Sequence, residues 1–192
     1  MSKDLENYEA VSIYRLNADV QERLLRAARE CVFSWCTKDS WPIGVIMSCY
    51  WKDGKMWLTA GAHRHRIAAV QRNPQVSVCI TSTGTDLGPS KTITIKGRCR
   101  VREDRETKNW FYREFSSHLR RDDAAAAEAF RLMLDSPLRV VLEVTPEKFI
   151  TYDGVKMFQH TAGTLDPSEL APPLSADTER LAAELKKRGL KG

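Results

Sequence analysis

No apolar run in the 192-residue chain approaches the roughly 18–20 residues of a membrane-spanning helix, so no membrane partner is expected. The opening stretch, residues 1–10 (MSKDLENYEA), lacks the basic segment and following apolar segment of a secretion signal, and the expected compartment is cytoplasmic. The five cysteines (Cys31, Cys36, Cys49, Cys79, Cys99) are odd in number and contain no C-x-x-C pair. All but Cys36 sit in apolar strand-like runs, which reads as reduced, buried thiols rather than disulfides or a zinc site. The four histidines fall at no metal-ligand spacing with carboxylates or cysteines, so no metal is expected. Zinc-finger spacing, an RNP-like aromatic strand and any long basic block are also missing. The net charge of +5 is scattered, which argues against a nucleic-acid partner and leaves room for an anionic ligand. There is no Ser-His-Asp order, no carboxylate pair and no Cys-His pair on which to place catalysis, and the catalytic residues are unknown at this stage.

What is present is a succession of short strands. Residues 17–30 have helical spacing, with Asp19 and Glu22 at capping-box distance. Residues 31–42 read as a strand running into a turn. Residues 43–51 (IGVIMSCYW) are apolar nearly throughout and read as one strand covered on both faces. Asp53-Gly54 marks a hairpin turn, followed by a return strand over 56–60. A short helix over 63–72 is stopped by Asn73-Pro74. Strands follow over 75–83 and 91–101; in the second, Thr92, Thr94, Lys96, Arg98 and Arg100 share one face. Helices are expected over 104–120 and 123–134, then a strand over 138–154 interrupted at Pro146. An arm over 159–175 and a helix over 175–189 close the chain. The predicted organisation is one domain over 1–158 and an arm with a helix over 159–192. The order of elements suggests a small barrel with helices around it.

The start of the helix at 63–72 carries Arg64, His65 and Arg66, where the helix dipole disfavours cations by roughly 0.3–1 kcal/mol each. An anion at the unpaired first-turn N–H groups would resolve the conflict, with the two guanidinium groups as planar donors and Thr59 offering a hydroxyl. A solvated basic turn explains the same residues equally well. The doubly apolar strand at 43–51 likewise has two explanations: burial between barrel and helices, or a flat ring or second subunit on its outer side, with Met47 and Ser48 offering backbone groups to the ring's edge.

Residues 56–80 (MWLTAGAHRHRIAAVQRNPQVSVCI) and 90–101 (SKTITIKGRCRV), with the preceding hairpin, resemble the pyridoxamine 5'-phosphate oxidase-like, flavin-binding split-barrel family. The resemblance spans roughly 30–155, and residues 147–157 (EKFITYDGVKM) are similar to one branch. It implies a mainly β fold with helices, a six-stranded antiparallel split β-barrel (FMN-binding split barrel) that is homodimeric, with FMN bound across the dimer interface. Val45, Ile46, Met47 and Ser48 match the strand whose backbone lies along the isoalloxazine ring. Leu58 and Thr59 match the strand end beside ring and phosphate. His65 and Arg66 fall on the family's Arg-Lys phosphate pair, with Arg64 next to them. Lys91 and Thr92 match positions approaching the cofactor from the barrel's other side. The chain departs from true pyridoxamine oxidases in having Ser48 for a Lys, Ile43 near an Arg position and Thr92 for a Gln. Their C-terminal substrate segment is not visible in residues 159–174. These departures point to an oxidoreductase of a divergent branch acting on an unknown small molecule. A deazaflavin coenzyme, served by a longer groove of Lys91, Lys96 and Arg98, is the alternative to FMN. A non-catalytic flavin or haem carrier, with His63 or His65 as the haem ligand, is a further one. Trp51, Tyr152 and Phe158 are the aromatics considered for the ring's open face.

Overall fold

The computed structural model describes residues 9–190; the polar start of the chain through residue 8 lies outside them. Seven strands form one antiparallel sheet: β1 (Glu30–Cys36), β2 (Pro42–Ser48), β3 (Tyr50–Lys52), β4 (Lys55–Gly61), β5 (Gln75–Thr81), β6 (Lys91–Arg102) and β7 (Arg139–Asp153). Their order is β2-β1-β5-β6-β7-β4-β3. The two outermost strands are consecutive in the chain, separated only by Cys49. One residue spans at most about 3.6 Å, so the sheet must curl until its edges meet. The result is a barrel that is split between β2 and β3.

The expected single strand over 43–51 is therefore two strands, and seven replace six. The break falls at wholly buried Cys49, whose N–H still donates to the Arg29 carbonyl at 3.0 Å in continuation of the β1–β2 register before the chain enters β3. Alternation fills the barrel. Phe33, Leu58, Val78, Ile93, Ile95, Leu142 and Val144 point inward and are inaccessible, and Val45 and Met47 of β2 pack against them. Pro146 does not interrupt the last strand. The register with β6 shifts there instead, Gly97 pairing with Pro146 and Lys96 with Lys148. The extra residue is a bulge, where a strand tolerates proline. A side chain at Gly97 would meet the Thr145 carbonyl oxygen at 2.5 Å, so the shift requires glycine.

Helix α1 (Ala18–Ala27) begins after Asn17 rather than at an Asp19 cap. Glu22 is no capping partner: its carboxylate accepts the Trp51 indole N–H at 3.1 Å and pairs with Arg26 at 2.7 Å. Trp51 is thereby fixed in the core and is no candidate for an open ring face. Helix α2 (His65–Arg72) follows β4. Helices α3 (Arg105–Leu119) and α4 (Ala124–Leu134) are capped by Asp104 on the Thr107 N–H and Asp123 on the Ala126 N–H. They cover the outside of β4 and β7 through a second apolar cluster containing Trp57, Phe111, Phe115, Leu134 and Val141. Helix α5 (Gly154–Thr161) occupies residues expected as strand end and arm, and Asp153 caps it by accepting from Val155 and Lys156 N–H. The remaining arm returns along its own chain. The Ala171 N–H donates to Ile13 O at 2.9 Å, and the buried Lys156 ammonium donates to Asn17 Oδ1 at 2.7 Å and Glu169 O at 2.9 Å. Helix α6 (Ser175–Arg188) ends at left-handed Gly189 and buries none of its residues. Among the described residues, no helix is long and apolar enough to cross a membrane.

One ion cluster ties β4, β6 and β7 together around a buried carboxylate. Glu143 of β7 lies on the outer face between Lys55 and Arg102, accepting from the Lys55 ammonium and, at 2.8 Å, from Arg102 Nη1. Burial pushes its carboxyl pKa up, but the two cations outweigh burial and the net shift is downward from 4.5. A carboxyl whose pKa falls on folding contributes stability that is complete above its unfolded value and is lost as pH drops through the folded one. Denaturant unfolding at pH 7 should show Glu143→Gln destabilised by about 1–3 kcal/mol. Between pH 5 and 3 the variant should lose less stability than the wild type; identical acid profiles would show that this carboxylate carries no linkage.

Candidate cofactor cleft

Strand β4 ends at Gly61, the chain turns, and the Arg64 N–H closes that turn on the Gly61 carbonyl at 3.0 Å. Arg64 then occupies the N-cap of α2, a position where its side chain cannot accept the first-turn N–H groups, and no side chain caps this helix. Beside this helix start is a cavity of about 300 Å³. Ile46, Met47 and Ser48 form one wall, Thr59, Ala60 and Gly61 another, and Arg64 and Arg66 reach it from the helix. The third wall comes from elements that sequence reasoning did not connect to the site: Phe115, Phe130 and Leu134 of the α3–α4 hairpin, and Arg139 at the start of β7.

Arg139 is placed by register, lying opposite Gly61 across the β4–β7 ladder. Three guanidinium groups thus converge, and among the described residues no carboxylate pairs with Arg64, Arg66 or Arg139. Arg66 is held with its guanidinium carbon 5.6 Å from the centre of the Trp35 ring. Its Nε is buried and has no hydrogen-bond partner. Burial first, and the Arg64 charge second, pull its pKa below the ordinary arginine value. A partner-less buried donor and a like-charge neighbour are both unfavourable, and one bound anion relieves both. Of the cluster, Arg66 is partly buried, while Arg64 and His65 are exposed.

Other expected positions separate into groups. The Leu58 side chain is wholly inside the barrel and Val45 also packs inward, so only their backbone can serve a ligand. Thr59 does not offer its hydroxyl proton, which is committed to Val140 O at 2.9 Å; its oxygen can still accept. The His65 side chain is exposed on the first turn of α2, and neither it nor His63 lines the cleft, which removes the support for a haem ligand. Lys91 and Thr92 lie at the far end of β6. Lys91 is half-buried with Asp153 at 3.8 Å, and Thr92 sits between Thr81 and Tyr152 in the ladder. They do not reach the cleft of their own chain. Nor do Lys96 and Arg98 extend it: Lys96 lines a different cavity between β1, β5 and β6, and Arg98 pairs with Glu147 at 2.6 Å. The longer groove of Lys91, Lys96 and Arg98 is not formed. Phe158 is exposed on α5, and the Tyr152 hydroxyl donates to the Met157 sulfur at 3.0 Å; neither lines the cleft.

Ser48 and Phe130 also line a second, larger cavity of about 620 Å³, so the two spaces adjoin at the end of β2. The exposed outer face of β2 differs from the expectation of burial on both sides. Ile46 is 74% accessible within one subunit.

The profile of the pyridoxamine 5'-phosphate oxidase family matches residues 18–153. No curated protein is similar to the chain. Among solved structures, the conserved hypothetical protein Rv2991 of Mycobacterium tuberculosis superposes with a TM-score of 0.66 at 13% identity, over 86% of this chain and 97% of that one. A FAD-binding protein of Mesorhizobium loti gives 0.52 at 20% identity, over 71% and 94%. A protein named F420 reductase gives 0.53 at 18% identity, over 67% and 94%. At these identities the likeness concerns the fold.

Proposed function

The chain belongs to the pyridoxamine 5'-phosphate oxidase family, and we propose that it is a flavin-dependent oxidoreductase that holds FMN in the cleft at the start of α2. The observation that carries this reading is the convergence of Arg64, Arg66 and Arg139 with no carboxylate among the described residues to neutralise them, one of them with an orphaned buried Nε. These three would hold the phosphate, with planar donors suited to its oxygens. The backbone of Ile46–Ser48 would support the ring, and Phe115, Phe130 and Leu134 would exclude water from it. The bound flavin supplies the redox chemistry, accepting or donating a hydride; the protein binds and orients it.

The protein acts as a homodimer in this proposal, with the outer face of β2 as part of the interface. Ladder register sets Ile46 beside Val32, Val32 beside Cys79, Cys79 beside Thr94, and Thr94 beside Ile150. This row crosses the outside of the barrel, and Ile150 is 51% accessible. An exposed apolar band of this kind marks an interaction surface. Lys91 and Thr92, too distant from their own cleft, are assigned to the partner's.

A deazaflavin coenzyme remains the second reading, favoured by the F420 reductase fold likeness and by the same phosphate cradle. Titration of the purified protein into FMN, followed by quenching of flavin fluorescence, is expected to saturate at one flavin per chain. A parallel titration of the deazaflavin ranks the two readings. Failure of both to bind would end this assignment.

A further inference from the structure

The 620 Å³ cavity beyond Ser48 and Phe130 has its own chemistry. Its volume lies within the range of small-molecule sites. Ala27 and Ala28 at the end of α1, Leu119 of α3 and Phe130 of α4 give it an apolar side. Arg29 and Arg120 give it a cationic one. Among the described residues neither arginine has a carboxylate partner, although Glu30 stands on the same wall. The Arg120 guanidinium carbon is 5.3 Å from the Phe130 ring centre, held by the side chain that also walls the cofactor cleft. The turn after β5 completes the rim. There the Thr83 hydroxyl oxygen accepts from Thr81 at 3.2 Å, which leaves its own proton free to donate. Behind the rim, buried His118 fixes the end of α1 to α3. Burial lowers its pKa, so the neutral ring donates from Nε2 to Ala28 O at 3.0 Å and accepts at Nδ1 from Arg121 at 3.2 Å. The compartment is thus built from pinned elements.

We infer that this second compartment binds a small organic carboxylate, its apolar body against Phe130 and Leu119 and its anionic group between Arg29 and Arg120. The inference deepens the flavin reading, since it names the class of molecule placed next to the cofactor cleft. It rests on two unpaired guanidinium groups around an apolar floor, a pairing that rewards an anion attached to a flat apolar body and gives nothing extra to its neutral amide.

Benzoate and benzamide, alike in shape and different in charge, test it by calorimetric titration of the full chain, once flavin-free and once loaded with FMN. Benzoate is expected to bind at least fivefold more tightly than benzamide in both forms. The double variant Arg29→Gln/Arg120→Gln should lower benzoate affinity about tenfold while changing benzamide and FMN affinity less than twofold; Arg120→Lys should recover part of the loss. Equal affinity for the two probes, no benzoate binding up to about 10 mM, or benzoate binding unaffected by the double variant would each overturn the inference. A tenfold loss of FMN affinity in the double variant would also overturn it, because the arginines would then serve the cofactor. Wild-type protein that binds benzoate as expected but never binds FMN would leave this compartment standing and remove the flavin reading instead.

Discussion

Replacing Arg64 and Arg66 together by alanine should lower FMN affinity at least tenfold and leave riboflavin affinity nearly unchanged. The asymmetry between the two flavins follows from where the cations sit. They crowd the uncapped start of α2, at the end of the cleft away from the second compartment, and riboflavin lacks only the phosphate that would occupy that end. A charge-assisted hydrogen bond is worth about 1.5–3 kcal/mol, and a factor of ten corresponds to about 1.4 kcal/mol, so the loss of even one such bond meets the threshold. Removing the arginines also removes an existing cost, since Arg66 is buried at Nε beside a like charge. The double variant should therefore melt no lower than the wild type without ligand, and lower than the wild type only when FMN is added. Arg139→Ala, on a different element, should reproduce the FMN loss with the same indifference to riboflavin. Equal weakening of both flavins would move the phosphate elsewhere and leave the cationic cluster without an explanation.

The parts of this site that were legible in the sequence are local ones. Arg64, Arg66 and Thr59 lie within eight residues of one another, and the clash between their charge and the helix dipole is visible in a one-dimensional string. Met47 and Ser48 were suggested by the doubly apolar run around them, and the family resemblance placed them along the ring. Arg139 is 73 residues from Arg66, and what joins them is the β4–β7 ladder, a pairing between strands far apart in the chain. Phe115, Phe130 and Leu134 carried an apolar pattern, but periodicity cannot tell which surface a helix covers. The alternating strands β1, β5 and β6 were readable because a half-buried strand writes its two faces into alternate residues. The run over 43–51 was not, because the break at Cys49 arises from barrel closure and leaves an apolar string unchanged. Helix α5 was missed for a related reason: its cap, Asp153, is also the last residue of a strand. Where the sequence suggested one cationic groove through Lys91, Lys96 and Arg98, the curvature of the sheet distributes those side chains around different cavities and partners.

The outer row of the barrel carries the second large expected effect. Ile46→Asp should convert a dimer to a monomer in light-scattering chromatography at micromolar protein. A twofold-symmetric interface contains each residue twice. Full burial of an isoleucine is worth about 1.5–3 kcal/mol, so the paired loss amounts to about 3–6 kcal/mol before any cost of burying a carboxylate, which weakens association at least a hundredfold. The fold itself should persist, because Ile46 is 74% accessible and contributes little to the barrel core of its own subunit. The consequence for the cofactor is the sharper part of the prediction. Ile46 precedes the two residues, Met47 and Ser48, that wall the cleft with it, and Lys91 and Thr92 do not reach that cleft from within the same chain. A monomer would present the three arginines with half of the ring's surroundings missing, and flavin affinity should fall more than tenfold together with the dimer. Ile150→Asp, at the other end of the row and outside the cleft, separates the two effects. It should dissociate the dimer and weaken flavin binding only through that dissociation, recovering affinity as protein concentration rises. A wild-type protein that is monomeric and still saturates with FMN would show the cleft to be complete in one subunit and would assign the exposed row to a different partner.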